Sequence, residues 1–403
     1  MIVKKLIGKI HLWLGLSSGL VVFLVSLSGA IMVFEHEIRW LIGTSAMDST
    51  VPAQVATPAP PSLVFEKALA AVGEGGSYIY YYTGKTKSHV LINWFYHAGD
   101  SIENIKAGYR ELHQNPYTGD VLYNELWEGG FWGWMVKFHT SLLLPPNIGH
   151  QVVGWSTIIF VILMMTGLAL WFPKSKKGYK QRFTIKWKAK IKRVNYDLHN
   201  VLGFYMLSVT MVIALTGLVW SFEWFRNGVY ALATGGKEMP AHNAIKSQYN
   251  PTVSQSSVEL MHLIDEVTNQ TLTKYPEFYR YTVGYPLDSV GVINVGVMTE
   301  KGKNYDRHDE YIFDRYTGAL INSELWSNQN AGERIMHLNY PLHLGLIGGL
   351  PTKILAFFAS LVAASLPLTG FYIWWGRKKK VIRKRPSRKT LNQVENTLVR
   401  SKI

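Results

Sequence analysis

Two stretches decide the fold: IHLWLGLSSGLVVFLVSLSGAIMVF at residues 10–34 and HNVLGFYMLSVTMVIALTGLVWSF at residues 199–222. Each is an apolar run of the roughly 20 residues a helix needs to cross a bilayer. They align without a gap. His11 and Gly15 fall on His199 and Gly203, Ser28-Gly29 falls on Thr216-Gly217, and Phe34-Glu35 falls on Phe222-Glu223. Two further runs qualify as spans, Val152 to Phe172 and Ile354 to Trp375, and neither contains an ionisable residue. The fourth carries Pro367, which predicts a kink because proline removes a helix donor. Four buried helices of a soluble protein would show polar edges, and these runs do not.

The bulk composition agrees. Of the 403 residues 48% are hydrophobic and only 17% charged, against about 25% charged in soluble proteins. The chain has no cysteine, which excludes disulfides, thiolate-held iron–sulfur clusters, thiolate zinc sites and covalently attached c-type haem. Any redox metal must rest on His, Met or carboxylate.

The formal charge of +15 is concentrated. Lys4, Lys5 and Lys9, the segment from Lys174 to Asp197, and the tail from Arg377 onward hold 24 of the 42 basic residues and 2 of the 27 acids. Lys and Arg in short flanks mark the cytoplasmic side. Both termini and the basic loop are therefore expected in the cytoplasm, with two long segments facing outward. No nucleic-acid partner is needed to explain the surplus. The first run exceeds the 7–15 residues of a signal-peptide core, so it is expected to be retained as a span.

The second and fourth spans repeat more loosely, Thr166-Gly167 with Trp171 answering Thr369-Gly370 with Trp374. The outward segments repeat too. Asn115-Pro116-Tyr117-Thr118-Gly119-Asp120 with Glu125-Leu126-Trp127 parallels Asp314-Arg315-Tyr316-Thr317-Gly318-Ala319 with Glu324-Leu325-Trp326. Each outward segment reads as α+β. Helices are expected over Ser62 to Val72 and Ser257 to Leu272, and strands over Tyr78 to Tyr82, Val90 to Tyr96 and Val290 to Val297. The Tyr-Thr-Gly triplets predict turns with glycine at positive φ.

The expected architecture is a mainly α membrane protein, a four-transmembrane-helix bundle from an internal duplication about an axis along the membrane normal, with two outward-facing α+β domains. Spans one and three occupy residues 10–35 and 199–225. Interfacial segments with spans two and four occupy 131–173 and 336–376. The outward domains cover 44–130 and 226–335. The basic loop is 174–198, and the basic tail is 377–403.

Of thirteen histidines, His89, His97, His113, His242, His262 and His308 have no metal-ligand spacing and read as surface or strand residues; His36 reads as a solvated interfacial residue. His11 and His199 differ. An ionisable group at the edge of a span is functional by default, and these two are related by the duplication. Facing one another across its axis, they would offer two axial imidazoles to one metal. Haem b fits such a greasy four-helix interior, with Gly15 and Gly203 giving a flat macrocycle room. On the outer side His139 precedes span two, and either His343 or His337 precedes span four. His343 is favoured because it keeps the distance to the span nearly constant. His150 has no symmetric counterpart and is read as a contact to a haem propionate or substrate. Trp127, Phe131, Trp132 and Trp134 fit either a membrane-interface belt or a docking surface. Two histidines alone fall short of a zinc site.

Seven motifs in order resemble the PepSY-associated transmembrane helix family over essentially the whole chain. They are His11-Leu12-Trp13-Leu14-Gly15-Leu16, Asn115-Pro116-Tyr117-Thr118-Gly119, Phe138-His139-Thr140-Ser141-Leu142, Leu198-His199-Asn200-Val201-Leu202-Gly203, Asp314-Arg315-Tyr316-Thr317-Gly318, Tyr340-Pro341-Leu342-His343-Leu344-Gly345, and the Thr-Gly pairs before the basic flanks. The resemblance implies a bacterial inner-membrane reductase of ferric siderophores with two haem b groups. Each haem would be bis-His ligated, by His11 and His199 on the inner side and by His139 and His343 on the outer. PepSY-like domains would stand outside, and the electron donor would be cytoplasmic or in the membrane. His150, where relatives carry a basic Arg, and Ala319, where the first copy has Asp120, depart from the pattern without touching these residues. The competing expectation is a non-redox regulator or peptide-binding chaperone with structural histidines.

Overall fold

The computed structural model describes residues 2–42, 58–73, 76–83, 89–96, 110–126, 130–173, 179–240, 245–248, 255–286, 288–299 and 307–383. Trp127, His97, His242 and the tail beyond residue 383 lie outside them. In chain order the elements are α1 (Ile2–Val33), α2 (Glu35–Leu41), α3 (Pro61–Val72), β1 (Gly76–Thr83), β2 (His89–Tyr96), β3 (Arg110–Gln114), β4 (Val121–Leu126), α4 (Phe131–Ser141) and α5 (Pro146–Trp171). They continue with α6 (Ile191–Tyr205), α7 (Leu207–Ser221), α8 (Glu223–Thr234), α9 (Ser257–Leu272), β5 (Arg280–Gly284), β6 (Val292–Met298), β7 (Asp309–Asp314), β8 (Leu320–Glu324), α10 (Ala331–Leu344) and α11 (Leu350–Arg383).

The chain is a mainly helical membrane protein. Three helices are long and apolar enough to cross a bilayer: Ile2–Val33, Pro146–Trp171 and Leu350–Gly376. Helices α6 and α7 make a fourth span only if taken together, because they bend by 65° at their junction. The third span expected over Val201 to Phe222 is thus divided between two helices. The bend falls at Met206, one turn after Gly203, and involves no proline; Met206 keeps near-helical angles and Thr210 N still donates to its carbonyl at 2.9 Å. Pro367, where a kink was expected, lies inside α11, which runs on as one helix.

The chain divides into two compact units. The first comprises Met1–Leu27, Trp155–Ala214 and Phe358–Ile403. Its apolar centre is Val22, Phe160, Met164, Ala214 and Ala363. Pro367 packs against Gly19, where a Cβ would stand 3.3 Å from the proline ring. Trp171 stacks on Phe204 with ring centres 3.8 Å apart.

The second unit comprises Ser28–Gly154 and Leu215–Phe357. Its sheet has eight strands in the order β4-β3-β2-β1-β5-β6-β7-β8, every neighbouring pair antiparallel. The segments expected as two outward domains, 44–130 and 226–335, contribute to one sheet: β1 pairs with β5. Pairing these two strands removes two exposed edges that would otherwise invite aggregation. Tyr81 and Tyr281, opposite one another there, stack at 4.9 Å. Helices α3 and α9 share the core of this unit, where Phe65 and Ile264 are fully buried with Val283, Ile293 and Val295. Asp265 of α9 accepts from the backbone N–H of Ser62 at 2.9 Å and its hydroxyl at 2.6 Å, placing an anion at the start of α3, where the helix dipole favours it. Helix α9 begins with a capping box of Ser256 and Glu259, and α10 with one of Asn330 and Glu333, which satisfies donors left over by the first turn.

The strand turns are built alike. Asn115 Oδ1 accepts from the backbone of Tyr117 and Thr118, and Asp314 Oδ1 from that of Tyr316 and Thr317. Gly119 (φ 73°) and Gly318 (φ 67°) then take the left-handed conformation. A register shift falls between His113 and Gln114 in one hairpin and between Ile312 and Phe313 in the other.

Candidate functional site

In the first unit, α1 carries His11 and α6 carries His199. Their rings stand edge to face with centres 6.4 Å apart. His11 Nδ1 lies 2.9 Å from Thr166 Oγ1 on α5, and His199 Nδ1 lies 2.9 Å from Thr369 Oγ1 on α11. Each threonine hydroxyl donates back into its own helix, Thr166 to Ile162 O at 2.8 Å and Thr369 to Ser365 O at 2.9 Å. With that proton committed, the threonine oxygen is the acceptor and each histidine Nδ1–H the donor. The hydrogen bond fixes the tautomer and leaves Nε2 as the nitrogen without a proton, the one that could act as a ligand. The glycine after each threonine makes room for the ring: a Cβ on Gly167 or Gly370 would stand 3.3 Å from the Cε1 of His11 or His199.

In the second unit, α4 carries His139 and α10 carries His343, with ring centres 6.2 Å apart. The same construction recurs. Ser28 Oγ lies 3.0 Å from His139 Nδ1, and Thr216 Oγ1 lies 2.9 Å from His343 Nδ1. Gly29 and Gly217 follow, each leaving room for the Cε1 edge, at 3.1 Å and 3.3 Å from where a Cβ would be. His337 points elsewhere in chemistry: it packs against His308 at 5.4 Å and Trp326 at 6.1 Å, and its Nε2 is 3.1 Å from Gln329 Nε2.

Among the described residues no group of three or more His, Cys, Asp or Glu can hold a metal ion by itself. A pair of imidazoles fits the axial positions of a planar cofactor, whose macrocycle supplies the remaining ligands. Ring centres 6.4 and 6.2 Å apart are close enough for both rings of a pair to reach one metal. A cavity of about 420 Å³ borders His11 and His199, and Gly8, Gly15, Gly19 and Gly203 line it. Leu12, Leu16, Phe160, Leu163 and Met164 are among its apolar walls. The residues present therefore fit haem b.

Two tethers were not anticipated from the sequence. Asn195, four residues before His199, donates from Nδ2 to Thr369 O at 3.0 Å; Asn339, four residues before His343, donates to Thr216 O at 3.2 Å. Each asparagine thus grips the residue whose hydroxyl its histidine uses. The hydroxyl–glycine pairs had been noted only as marks of repetition. The signal for their role was their position: neighbouring spans run oppositely, so the end of one is level with the start of the next.

The other histidines divide. His150 and His36 are exposed. His113 is the strand residue of the two alternatives: it lies in β3, is 1% exposed, and its Nε2 lies 2.8 Å from Glu111 Oε1. Trp132 is buried with Arg39 over its ring at 5.9 Å, whereas Phe131 and Trp134 are exposed.

No curated protein matches the chain. The model of the PepSY-associated TM region matches residues 9–377, and over that length, nearly the whole sequence, the chain belongs to this family.

Proposed function

We propose that the chain is a bacterial inner-membrane di-haem b electron conduit, which reduces a ferric siderophore on the periplasmic side with electrons from the cytoplasmic side and releases Fe(II). The observation that carries this reading is the repeated site: two imidazole pairs at 6.4 and 6.2 Å, each ring held at Nδ1 by a hydroxyl. His11 and His199 would hold one haem, and His139 and His343 the other. When bound, haem b supplies a one-electron couple at its iron. The chain's own part is to fix the four rings, keep Nε2 turned inward, and surround the inner pair with apolar walls that exclude water.

The proposal includes the four-helix bundle by duplication, with α6 and α7 as one broken span. The matching Asx turns, left-handed glycines and register shifts of the two hairpins support that duplication. It also places the sheet outside the membrane and the basic flanks inside, following the distribution of Lys and Arg. The ferric chelate is the substrate. One electron converts Fe(III) to Fe(II), which hard oxygen ligands hold more weakly. The donor would be a cytoplasmic or membrane reductant.

The test is reconstitution of purified chain in liposomes with dithionite inside and ferric siderophores outside, with a ferrous chelator outside reporting product. Coloured, b-type protein that yields external Fe(II) is the expected result. Protein that is colourless from haem-replete cells would return the reading to a non-redox membrane protein, and coloured protein inert towards every ferric chelate would overturn the substrate.

A further inference from the structure

A second cavity in the first unit lies at its basic end, about 390 Å³ in volume. Lys4, Arg182 and Arg193 line it, together with Gln181, Tyr196 and Asp197. Tyr196, Asn200 and Leu170 also border the cavity beside His11 and His199, so the two share a wall.

The chemistry of this wall is unbalanced. Lys4 Nζ donates to Phe172 O at 2.8 Å, its one hydrogen bond among the described residues. Arg182 Nη1 reaches Tyr196 Oη at 3.4 Å, a long contact. Arg193 is bound to Asp197 through Nε, at 2.9 and 3.0 Å, which leaves its two terminal nitrogens to face elsewhere. Asp197 is 2% exposed and also accepts from Lys186 N at 3.2 Å, so it serves as an internal anchor for the guanidinium. An ammonium and two guanidiniums offer far more N–H donors than these acceptors take up. Forked donors of this kind match the oxygens of a phosphate.

We propose that this cavity is an oxyanion site that binds the phosphate of an anionic ligand. Two sources present that chemistry: the headgroup of an anionic phospholipid, or a soluble phosphate-bearing reductant delivered beside the inner histidine pair. The shared wall puts either ligand next to the proposed electron entry. The binding itself stands on the cavity and its donors, whether or not the histidines hold haem.

The test uses the full-length chain as purified, in phosphatidylcholine nanodiscs, with inorganic phosphate as the probe in equilibrium dialysis. A parallel set of nanodiscs carries phosphatidylglycerol, and retained lipid is counted by native mass spectrometry. We expect saturable binding near one phosphate per chain, weakened about tenfold by K4Q and by R182Q, the loss of one charge-assisted contact. The double variant K188Q/K190Q, exposed in the same basic loop and outside the cavity lining, controls for diffuse charge and should bind as the parent does. Variants are compared only where melting temperature and haem absorbance match the parent; R193Q, which frees Asp197, is not used. Phosphatidylglycerol that displaces phosphate identifies the lipid source, and phosphate binding indifferent to it identifies the soluble one. Absence of saturable phosphate and of retained phosphatidylglycerol would overturn the proposal. So would an equal loss in the K188Q/K190Q control.

Discussion

His11 and His139 differ from His199 and His343 in what stands one turn earlier on their helices. All four share the hydroxyl at Nδ1 and the neighbouring glycine. Only the second member of each pair adds an asparagine one turn earlier that grips the same hydroxyl residue's carbonyl. At the corresponding positions before His11 and His139 stand Ile7 and Met135. The hydroxyl orients a ring, and the asparagine fixes the sliding register of the helix that carries it. Each site therefore has an asparagine tether beside one histidine and an apolar residue at the matching place beside the other.

That contrast can be broken from several directions. The largest effect is expected from removing a ring: His11→Ala and His343→Ala should each abolish one of two haems, measured as haem per chain. His337→Ala should lose none, because His337 belongs to the Trp326 and His308 cluster. Filling the clearance comes next. Gly167→Val and Gly370→Val push a side chain onto a ring edge 3.3 Å away, and should convert the inner haem from six-coordinate to a weakly bound species in absorbance titrations. Alanine at Gly29, where the gap is 3.1 Å, should harm its site more than alanine at Gly217, where it is 3.3 Å.

Removing the hydroxyl should cost less. Thr166→Val keeps the shape but frees the tautomer, and outer ligands of this kind carry about 10- to 100-fold in affinity; haem dissociation rates report it. The asparagines sharpen the comparison itself. Asn339→Leu removes one buried hydrogen bond and should cost about 1–2 kcal/mol in thermal or denaturant unfolding, while Met135→Leu, four residues before His139, should be near neutral. Smallest is a cap. Helix α4 ends on Leu142 at φ 54°, whereas α10 ends on Gly345 at φ 72°. A leucine there carries a left-handed backbone that costs about 1–2 kcal/mol, so Leu142→Gly should raise the melting temperature slightly.

The apolar helices were legible because an uninterrupted apolar run has few other uses, and the pairing of the four histidines because each sits at a nearly constant distance from a small-residue pair. The preference for His343 over His337 also rested on spacing, and the structure sets His343 beside His139. The bend at Met206 was not legible, since the run through Leu202 to Ser208 is as apolar as a straight span would be. Nor was the joining of the two strand sets. Strand patterns show which face is buried but not which edge is paired, and β1 meets β5 only through the tertiary fold. The hydroxyl and asparagine tethers escaped for the same reason: they join residues 111 to 174 positions apart.

Haem content of the purified wild-type chain tests the reading most directly. Reduced pyridine-haemochrome spectra against protein concentration should give two b-type haems per chain, with the oxidised protein showing low-spin iron bound by two imidazoles. Protein from haem-replete cells with no Soret band, or with iron in a form lacking paired imidazole ligation, would contradict it.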